Sequence, residues 1–169
     1  MDVTLTSLLV TVATVSVLAG VGDEARAACR QPDPAAAVVC EINDRRAGRG
    51  LGPLVGDRRL ERAGEAHARD MVRRGYFSHA SPEGARVGDR LRAAGYIAEG
   101  VAWRVGEVLA WGRGERSTPS AAVAAWMRSP PHRRVLLRSH YREIGVGVAA
   151  GVPFGGAGRT YATELGVLG

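Results

Sequence analysis

Three segments of the sequence contain side chains that could carry chemistry together. His79 lies among aromatic and hydroxyl residues in the segment 76–82, and Glu107 is the lone acid of the apolar run 105–110. His132 follows a double proline. A carboxylate inside an apolar segment is costly to bury unless it is paired. Two imidazoles are natural partners for it, because the three groups could share a proton or hold a divalent cation such as zinc.

Four helices are predicted in the first three quarters of the chain. Pro34 favours the start of a first helix, and Asp57 is a suitable N-cap for a second that ends at Gly75. Shorter helices are predicted over 87–94 and 121–129, and the double proline must end the second of them. These elements would have to bring the three segments together.

Two strands are predicted to close the chain. Residues 144–148 alternate branched residues with glycines, so one face is apolar and the other lets a helix approach closely. Residues 159–166 form the partner strand, while 97–111 fit either a strand or a short helix. Glu143 and Glu164 flank the strands and could line a functional cleft or face solvent. Helices followed by a short antiparallel sheet predict an α+β fold or a three-layer arrangement.

The N-terminal segment predicts export. Residues 5–21 form an uncharged apolar run, and a small-x-small motif ends at Ala27. A signal peptide over 1–27, cleaved after Ala27, is therefore predicted, followed by a linker over 28–35 and one folded domain over 36–169. The length of 169 residues suits a single domain with its own core.

Two alternatives to a cleaved signal peptide stay open. The segment before the apolar run carries Asp2 where a positive charge is expected, so an uncleaved membrane anchor is the first alternative. A lipoprotein attached at Cys29 is less favoured, because Arg26 stands where an aliphatic residue is wanted. After cleavage we expect a secreted protein with no stable membrane span, and a monomer, since nothing in the sequence signals an oligomer.

Charge and cysteine content narrow the function classes further. The net charge is +6, yet all 23 basic residues are arginine and acids interleave with them, as over 57–62. That pattern is typical of a solvated helix face, so we predict no binding to nucleic acid. Cys29 and Cys40 are the two cysteines; in an oxidising compartment they could close a loop, and we interpret them as structural.

Nine short motifs follow one another along the chain. They are Asn43-Asp-Arg-Arg46, residues 51–54, 66–71, Phe77-Ser-His-Ala-Ser-Pro82, residues 89–91, Gly106-Glu107, residues 126–133, 136–137 and 143–147. Their order is the one seen in bacterial domains of the CAP superfamily (cysteine-rich secretory, antigen 5 and pathogenesis-related proteins). The sequence resembles these SCP-like extracellular domains over about residues 36–167, and it lacks the multiple disulfides of the plant and venom branches.

This resemblance implies an α-β-α sandwich with a central groove that holds two histidines and acidic residues. Matched residue by residue, the histidines are His79 and His132 and the first acid is Glu107, which makes these three the implied metal ligands. The second acid of the eukaryotic groove falls on Ser129. Val108 stands where the family usually has asparagine, so we expect weaker metal affinity than in the eukaryotic groove.

Each histidine also has a structural interpretation. His79 and His132 could instead hydrogen-bond the backbone of their own loops, and the resemblance leads us to favour the groove. For Glu107 two interpretations have nearly equal support. It could lie in the groove, or it could be a buried structural acid that accepts hydrogen bonds from the amides of nearby loops. His67 lies on the apolar stripe of its helix and is interpreted as a core histidine, whereas His140 is assigned no role.

Two classes of function compete for the groove. The first is a non-catalytic module that binds a lipid-like or cell-envelope ligand. The second is an extracellular hydrolase, using water on a bound cation or a hydroxyl of Ser81 or Ser129 activated by a histidine. The sequence has no Gly-x-Ser-x-Gly elbow, no His-Glu-x-x-His helix and no nucleophilic cysteine. We therefore favour the binding module, with zinc or another divalent cation as the one candidate cofactor.

Overall fold

The computed structural model describes residues 29–169, so the predicted signal peptide over 1–27 lies outside the described residues. Within that range the chain forms helices on both sides of one sheet. The elements in chain order are α1 (Pro34–Ala47), β1 (Val55–Gly56), α2 (Arg58–Arg74), α3 (Val87–Ala93), β2 (Trp103–Gly112), a 3-10 turn (Gly114–Ser117), α4 (Pro119–Arg128), α5 (Pro130–Leu136), β3 (Glu143–Ala150) and β4 (Arg159–Leu168).

Capping residues define the ends of the two long helices, as the sequence predicts. The Asp57 carboxylate accepts two backbone N–H groups of the first turn of α2 at 2.7 and 3.3 Å. Gly75 ends that helix in the left-handed conformation, with φ of 71°. Asp33 caps α1, and Pro34, which has no N–H to satisfy, occupies its first position. Local chemistry therefore accounts for where both helices begin.

The sheet has four strands in the order β1-β3-β4-β2. The three long strands are antiparallel, and β2 is an edge strand. The antiparallel pair of β3 and β4 is the one that the sequence predicted. The two-residue strand β1 pairs in parallel with β3, which makes the sheet mixed. Residues 97–111, which were ambiguous in the sequence, contribute most of β2. A strand as short as β1 leaves no periodic pattern to recognise, which is why it was not predicted.

Helices cover both faces of the sheet. Neighbouring residues of β2 point to opposite faces, so that a side chain at Gly106 would meet Val135 of α5 while Glu107 points toward α2. Trp126 of α4 is 1% exposed in the larger core, and its indole N–H donates to the Leu109 carbonyl at 2.8 Å. With α2 and α3 on one face and α1, α4 and α5 on the other, the predicted α+β, three-layer α-β-α sandwich is confirmed.

Glycines on β3 let α2 pack directly against the backbone of the sheet. A Cβ atom at Gly147 would lie 1.9 Å from the carbonyl carbon of Gly64, and one at Gly145 would lie 2.0 Å from the backbone nitrogen of Glu61. The alternation of glycines in this strand predicted such a close approach. Because Gly145 is paired with Glu164 in the register of β3 and β4, this close packing also places α2 near Glu164.

The double proline both ends one helix and begins another. Ser129 is extended, with φ of −86° and ψ of 114°, and α5 starts at the next residue. Proline disfavours the helical conformation of the residue before it but fits the first turn of a helix. His132 therefore lies in the first turn of α5, and not in a loop after α4 as the sequence suggested.

Cys29 and Cys40 form a disulfide that ties the segment before α1 to that helix. The double variant Cys29→Ser/Cys40→Ser should lose about 2–3 kcal/mol of unfolding free energy, because the bond closes an 11-residue separation in the unfolded chain. Urea denaturation with and without reductant measures this. Reductant should shift the denaturation midpoint of the unmodified chain but not that of the variant. If the two proteins had the same midpoint without reductant, the prediction would be contradicted.

Candidate functional site

Glu107 lies midway along β2 and is enclosed on the α2 side of the sheet. Its side chain is 2% exposed. Oε1 is 2.5 Å from Nδ1 of His79, and Oε2 accepts a hydrogen bond from the guanidinium of Arg90 in α3. Burial raises the pKa of Glu107, but the hydrogen bond from His79 and the charge of Arg90 outweigh it, so this pKa lies below its ordinary value. The carboxylate is therefore ionised and has a partner at each oxygen.

A second acid, Glu164, faces Glu107 from the neighbouring strand. The two residues are directly paired in the antiparallel register of β2 and β4, which puts their side chains on the same face. Glu164 has no exposed surface, and neither carboxyl oxygen has a hydrogen-bond partner among residues 29–169. Burial and the facing Glu107 carboxylate hold the pKa of Glu164 well above its ordinary value. Glu164 is therefore a fully buried acid whose ionisation the fold disfavours, and not a solvent-facing residue.

His67 completes the buried part of this cluster from α2. It is 2% exposed, and its Nε2–H donates to the Ser78 carbonyl at 3.0 Å. The same nitrogen is 3.8 Å from Oε2 of Glu107. Burial and the charge of Arg90 lower the pKa of His67, so the ring is neutral. His67 is a hydrogen-bonded core histidine, as predicted, and it holds the loop that carries His79 against α2.

His132 interacts with Ser129 across the junction of α4 and α5. Nδ1 of His132 and the Ser129 hydroxyl are 2.7 Å apart and hydrogen-bonded. Burial, and then the charge of His79, lower the pKa of His132, so this ring is also neutral. The two predicted groove histidines are thus close enough to influence each other. The structure joins His79 to Glu107 directly, whereas the hydrogen bond of His132 goes to Ser129.

The side chains predicted to bind a metal ion are not gathered into one ligand set. In the part of the chain that the structure describes, no group of three or more His, Cys, Asp or Glu side chains is placed to hold one. Oε2 of Glu107 already accepts from Arg90, and a guanidinium beside a carboxylate repels a cation. The implied ligand set of His79, Glu107 and His132 is therefore split between two separate hydrogen-bonded pairs, and a cation there stays a prediction to be tested.

A cavity of 420 Å³ opens beside the His79–Glu107 pair. Its lining combines apolar Ala80 and Val87 with His79, Arg86 and Glu107. A larger depression of 730 Å³ lies beside Cys29 and contains none of the paired groups. The smaller cavity is therefore the one that the paired side chains line.

Two residues of the cluster, Arg90 and Glu164, were not assigned to it from the sequence. The lone acid in an apolar run signals that a cation must lie nearby, but the chain offers 23 arginines as candidates. Glu164 resembles any acid at a strand end until the strand register is known. The fold decides which arginine and which second acid meet Glu107.

Replacing Glu164 by glutamine tests its protonation. An acid whose folded-state pKa is raised stabilises the fold below its ordinary pKa of 4.5, and this contribution is lost as the pH rises toward the folded value. Glutamine does not ionise, so the stability of Glu164→Gln relative to the unmodified chain should be greater at about pH 8 than at about pH 5. Urea denaturation at both pH values gives the difference; a pH-independent difference would contradict the prediction.

Residues 39–156 match the sequence profile of the CAP family, described as the cysteine-rich secretory protein family. The chain belongs to the CAP family. The profile includes every residue of the cluster around Glu107 except Glu164, and it covers α2 through β3 completely. The family assignment made from the nine ordered motifs is therefore confirmed.

Two curated proteins of Bacillus subtilis are similar to this CAP domain. The chain is 34% identical over 110 residues to the uncharacterized protein YkwD, and 35% identical over 99 residues to the uncharacterized membrane protein YlbC. These matches cover 65% and 59% of this chain but only 40% and 27% of the relatives. The chain thus spans less than half of either relative's length.

Solved structures also share the CAP fold. An extracellular protein containing an SCP domain from Bacillus anthracis superposes with a TM-score of 0.67 at 26% identity, over 78% of this chain and 39% of that one. An outer surface protein from Borrelia burgdorferi gives a TM-score of 0.64 at 20% identity, over 76% and 88% of the two chains. The second likeness concerns the fold alone. Among residues 29–169, no helix combines the length and apolar character needed to cross a membrane.

Proposed function

We propose that this CAP domain is an exported, non-catalytic module that binds a lipid-like or cell-envelope ligand in the cavity beside His79. The observation that carries the proposal is the lining of that cavity, which joins apolar side chains to a few polar groups at one edge. Its volume of 420 Å³ lies within the range of small-molecule sites. Such a lining suits a ligand with an apolar body and a polar head.

The polar residues at the edge of the cavity indicate which chemical groups the head of the ligand carries. The side chain of His79 is 61% exposed, and Arg86 is exposed at the same rim. Because Nδ1 of His79 is engaged by Glu107, its Nε2 is the nitrogen left to meet a ligand. Together with the guanidinium of Arg86, these groups favour a ligand head that accepts hydrogen bonds or carries negative charge.

The hydrogen bonds of Glu107 argue against catalysis through this carboxylate. A general base needs a free oxygen and a pKa near the working pH. Both oxygens of Glu107 have partners, His79 and Arg90, and its pKa is lowered. The carboxylate therefore acts to hold the rim of the cavity in place.

A hydrolase is the second candidate, because the Ser129 hydroxyl is hydrogen-bonded to a neutral imidazole. That pair, at 2.7 Å, has the first two members of a nucleophile–base arrangement. No side chain among residues 29–169 hydrogen-bonds Nε2 of His132 to orient the ring, and the hydrogen bonds of Glu107 go to His79 and Arg90, not to a hydroxyl or thiol. The pair is more simply explained as a local hydrogen bond that stabilises the junction of α4 and α5.

Export is supported by three features. The predicted signal peptide precedes the domain, and the Cys29–Cys40 disulfide suits an oxidising compartment. The similar solved protein from Bacillus anthracis is described as extracellular. A membrane anchor formed by an uncleaved N-terminal segment is the alternative. Sequencing the N-terminus of the protein recovered from a bacterial culture, from medium and membrane fractions, separates the two.

Filling the cavity tests the binding proposal. Ala80→Trp should weaken binding of a dansyl-labelled fatty acid, or of soluble peptidoglycan fragments, by about tenfold or more, because the indole occupies the ligand space. Ala98→Trp adds the same ring at an exposed loop position outside the cavity and should bind normally. Fluorescence titration measures the fatty acid, and calorimetry measures the fragments. Equal affinity of both variants for both probes would remove the cavity as the binding site.

Two further measurements address the alternatives. Turnover of ester, peptide or peptidoglycan substrates that is abolished by Ser129→Ala or Glu107→Gln would establish the hydrolase. Calorimetric titration with zinc, compared between the unmodified chain, His79→Ala and His132→Ala, tests a cation in the groove. Heats that are identical for all three proteins would exclude it.

A further inference from the structure

Two aromatic side chains that face solvent lie against each other where β2 ends. Trp111, the last residue but one of β2, is 41% exposed, and Phe154, in the loop between β3 and β4, is 63% exposed. Their rings meet edge to face, with centroids 5.8 Å apart. Neither ring lines the cavity beside His79. Single exposed apolar residues are ordinary, but two large rings in contact form an apolar surface that suits docking.

The loop that carries Phe154 has no polar side chain. Residues 151–158 are glycine, valine, proline, phenylalanine and alanine only, and 154–157 are exposed. Surface loops are ordinarily polar, because they face water. A loop without hydrogen-bonding side chains has none with which to recognise a polar polymer. An apolar medium is therefore the better match for this loop.

Hydrogen bonds within the protein fix the loop and occupy part of its backbone. The Gly151 N–H donates to the Gly158 carbonyl at 2.8 Å, and the Gly155 N–H donates to the Val152 carbonyl at 3.0 Å. The guanidinium of Arg113 donates to the Gly155 carbonyl from the neighbouring segment after β2. Backbone groups without partners are costly where water is scarce, so these bonds reduce the cost of moving the loop out of water.

The charges next to the aromatic pair are mostly positive. Segments 111–117 and 151–159 carry three arginines, Arg113, Arg116 and Arg159, and one acid, Glu115. None of these arginines forms an ion pair with an acid of residues 29–169. The adjoining end of α2 adds no net charge, since its last two arginines pair with acids. Positive charge beside exposed aromatic rings suits a negatively charged bilayer surface.

We propose that the surface formed by Trp111, Phe154 and Arg113 docks the domain onto a bilayer that contains anionic phospholipids. The two rings enter the bilayer at the level of the head groups, and the arginines interact with the lipid phosphates. A bilayer accounts for three observations together, because it offers an apolar side to the rings, demands no polar side chain from the loop, and attracts the arginines. This surface is separate from the cavity beside His79 and does not depend on the ligand proposed there.

A fluorescent label in the loop tests the proposal on the purified full-length chain. Ala157→Cys supplies one free thiol, since the two cysteines of the chain form a disulfide. An NBD group attached there should shift its emission to shorter wavelength when vesicles containing phosphatidylglycerol are added. The same label on Ala98→Cys, in an exposed loop before β2, should not respond. Each label reports its own surroundings, so binding through the N-terminal segment alone would not produce the difference.

Two comparisons assign the response to the rings and to the charge. Phe154→Ser should raise the lipid concentration that gives half of the change by about tenfold or more, because less apolar area leaves water. Val55→Ser is the matched control, since Val55 is 66% exposed on β1 at the opposite edge of the sheet, and it should have no effect. Phosphatidylcholine vesicles should require at least about fivefold more lipid, the effect of one arginine at an anionic surface.

Three results would overturn the proposal. The first is a label at residue 157 that does not respond to anionic vesicles, and the second is an equal effect of the Phe154 and Val55 variants. The third is an equal response to phosphatidylcholine vesicles, which would remove the role of the arginines. A shift that appears without vesicles when the protein concentration is raised would mean that a second copy of the chain covers the rings, and it would overturn the proposal as well.

Discussion

Arg90→Met should lower the free energy of unfolding by about 3–5 kcal/mol, the largest electrostatic effect we expect in this protein. Arg90 is 11% exposed at its side chain and donates to the buried Glu107 carboxylate. Removing the guanidinium leaves an ionised acid beside the second buried acid, Glu164, with only His79 as a direct partner. Chemical denaturation at neutral pH measures the loss.

Two further variants separate this effect from a general loss of charge. Arg92→Gln removes an arginine from the same helix, but that side chain is 53% exposed and pairs with an exposed acid, so the change should cost less than about 1 kcal/mol. Adding Glu107→Gln to Arg90→Met removes the charge left unpaired and should recover part of the stability. A double variant that is no more stable than Arg90→Met would show that packing, and not the buried charge, causes the loss.

Gly147→Ala should cost more than about 3 kcal/mol, beyond the usual range for overpacking, and is expected to leave little folded protein. The added Cβ would lie 1.9 Å from the carbonyl carbon of Gly64 and 2.0 Å from the backbone nitrogen of Glu65. Both atoms belong to the backbone of α2, which cannot rotate away as a flexible side chain could. Far-UV circular dichroism and the thermal midpoint of the purified variant measure the effect.

The matched control is Gly52→Ala. A Cβ at Gly52 meets no atom within 4 Å, and this glycine does not have a positive φ. Its substitution should change the free energy of unfolding by less than about 1 kcal/mol. If Gly147→Ala were as stable as this control, α2 would have to lie farther from the sheet in solution than the structure places it.

Features that depend on a few neighbouring residues could be predicted from the sequence. Asp57 caps α2 because its carboxylate reaches N–H groups two and three residues ahead, and Gly75 ends that helix because a left-handed residue is needed there. The alternating glycines of β3 indicated a close helix contact before the helix was known. Each of these signals lies within one element, so local stereochemistry suffices to interpret it.

The contacts of the candidate site could not be predicted in the same way. Only the family resemblance brought His79 and Glu107 together, since 28 residues separate them. Arg90 was one arginine among 23, and no local pattern distinguishes it from the others. The arginines near His140 were not predicted either, because the turn between α5 and β3 and the edge strand β2 bring them together only in the folded chain.

The sequence by itself determined the CAP family, the two long helices, the strands β3 and β4, and the chemical types available to the groove. The tertiary structure alone decided that Glu107 pairs with Arg90 and faces Glu164. The physical reason is that the register of β2 against β4 and the height of α3 above the sheet are set by packing over the whole domain. A charge inside such a core is stable only where that packing delivers a partner to it.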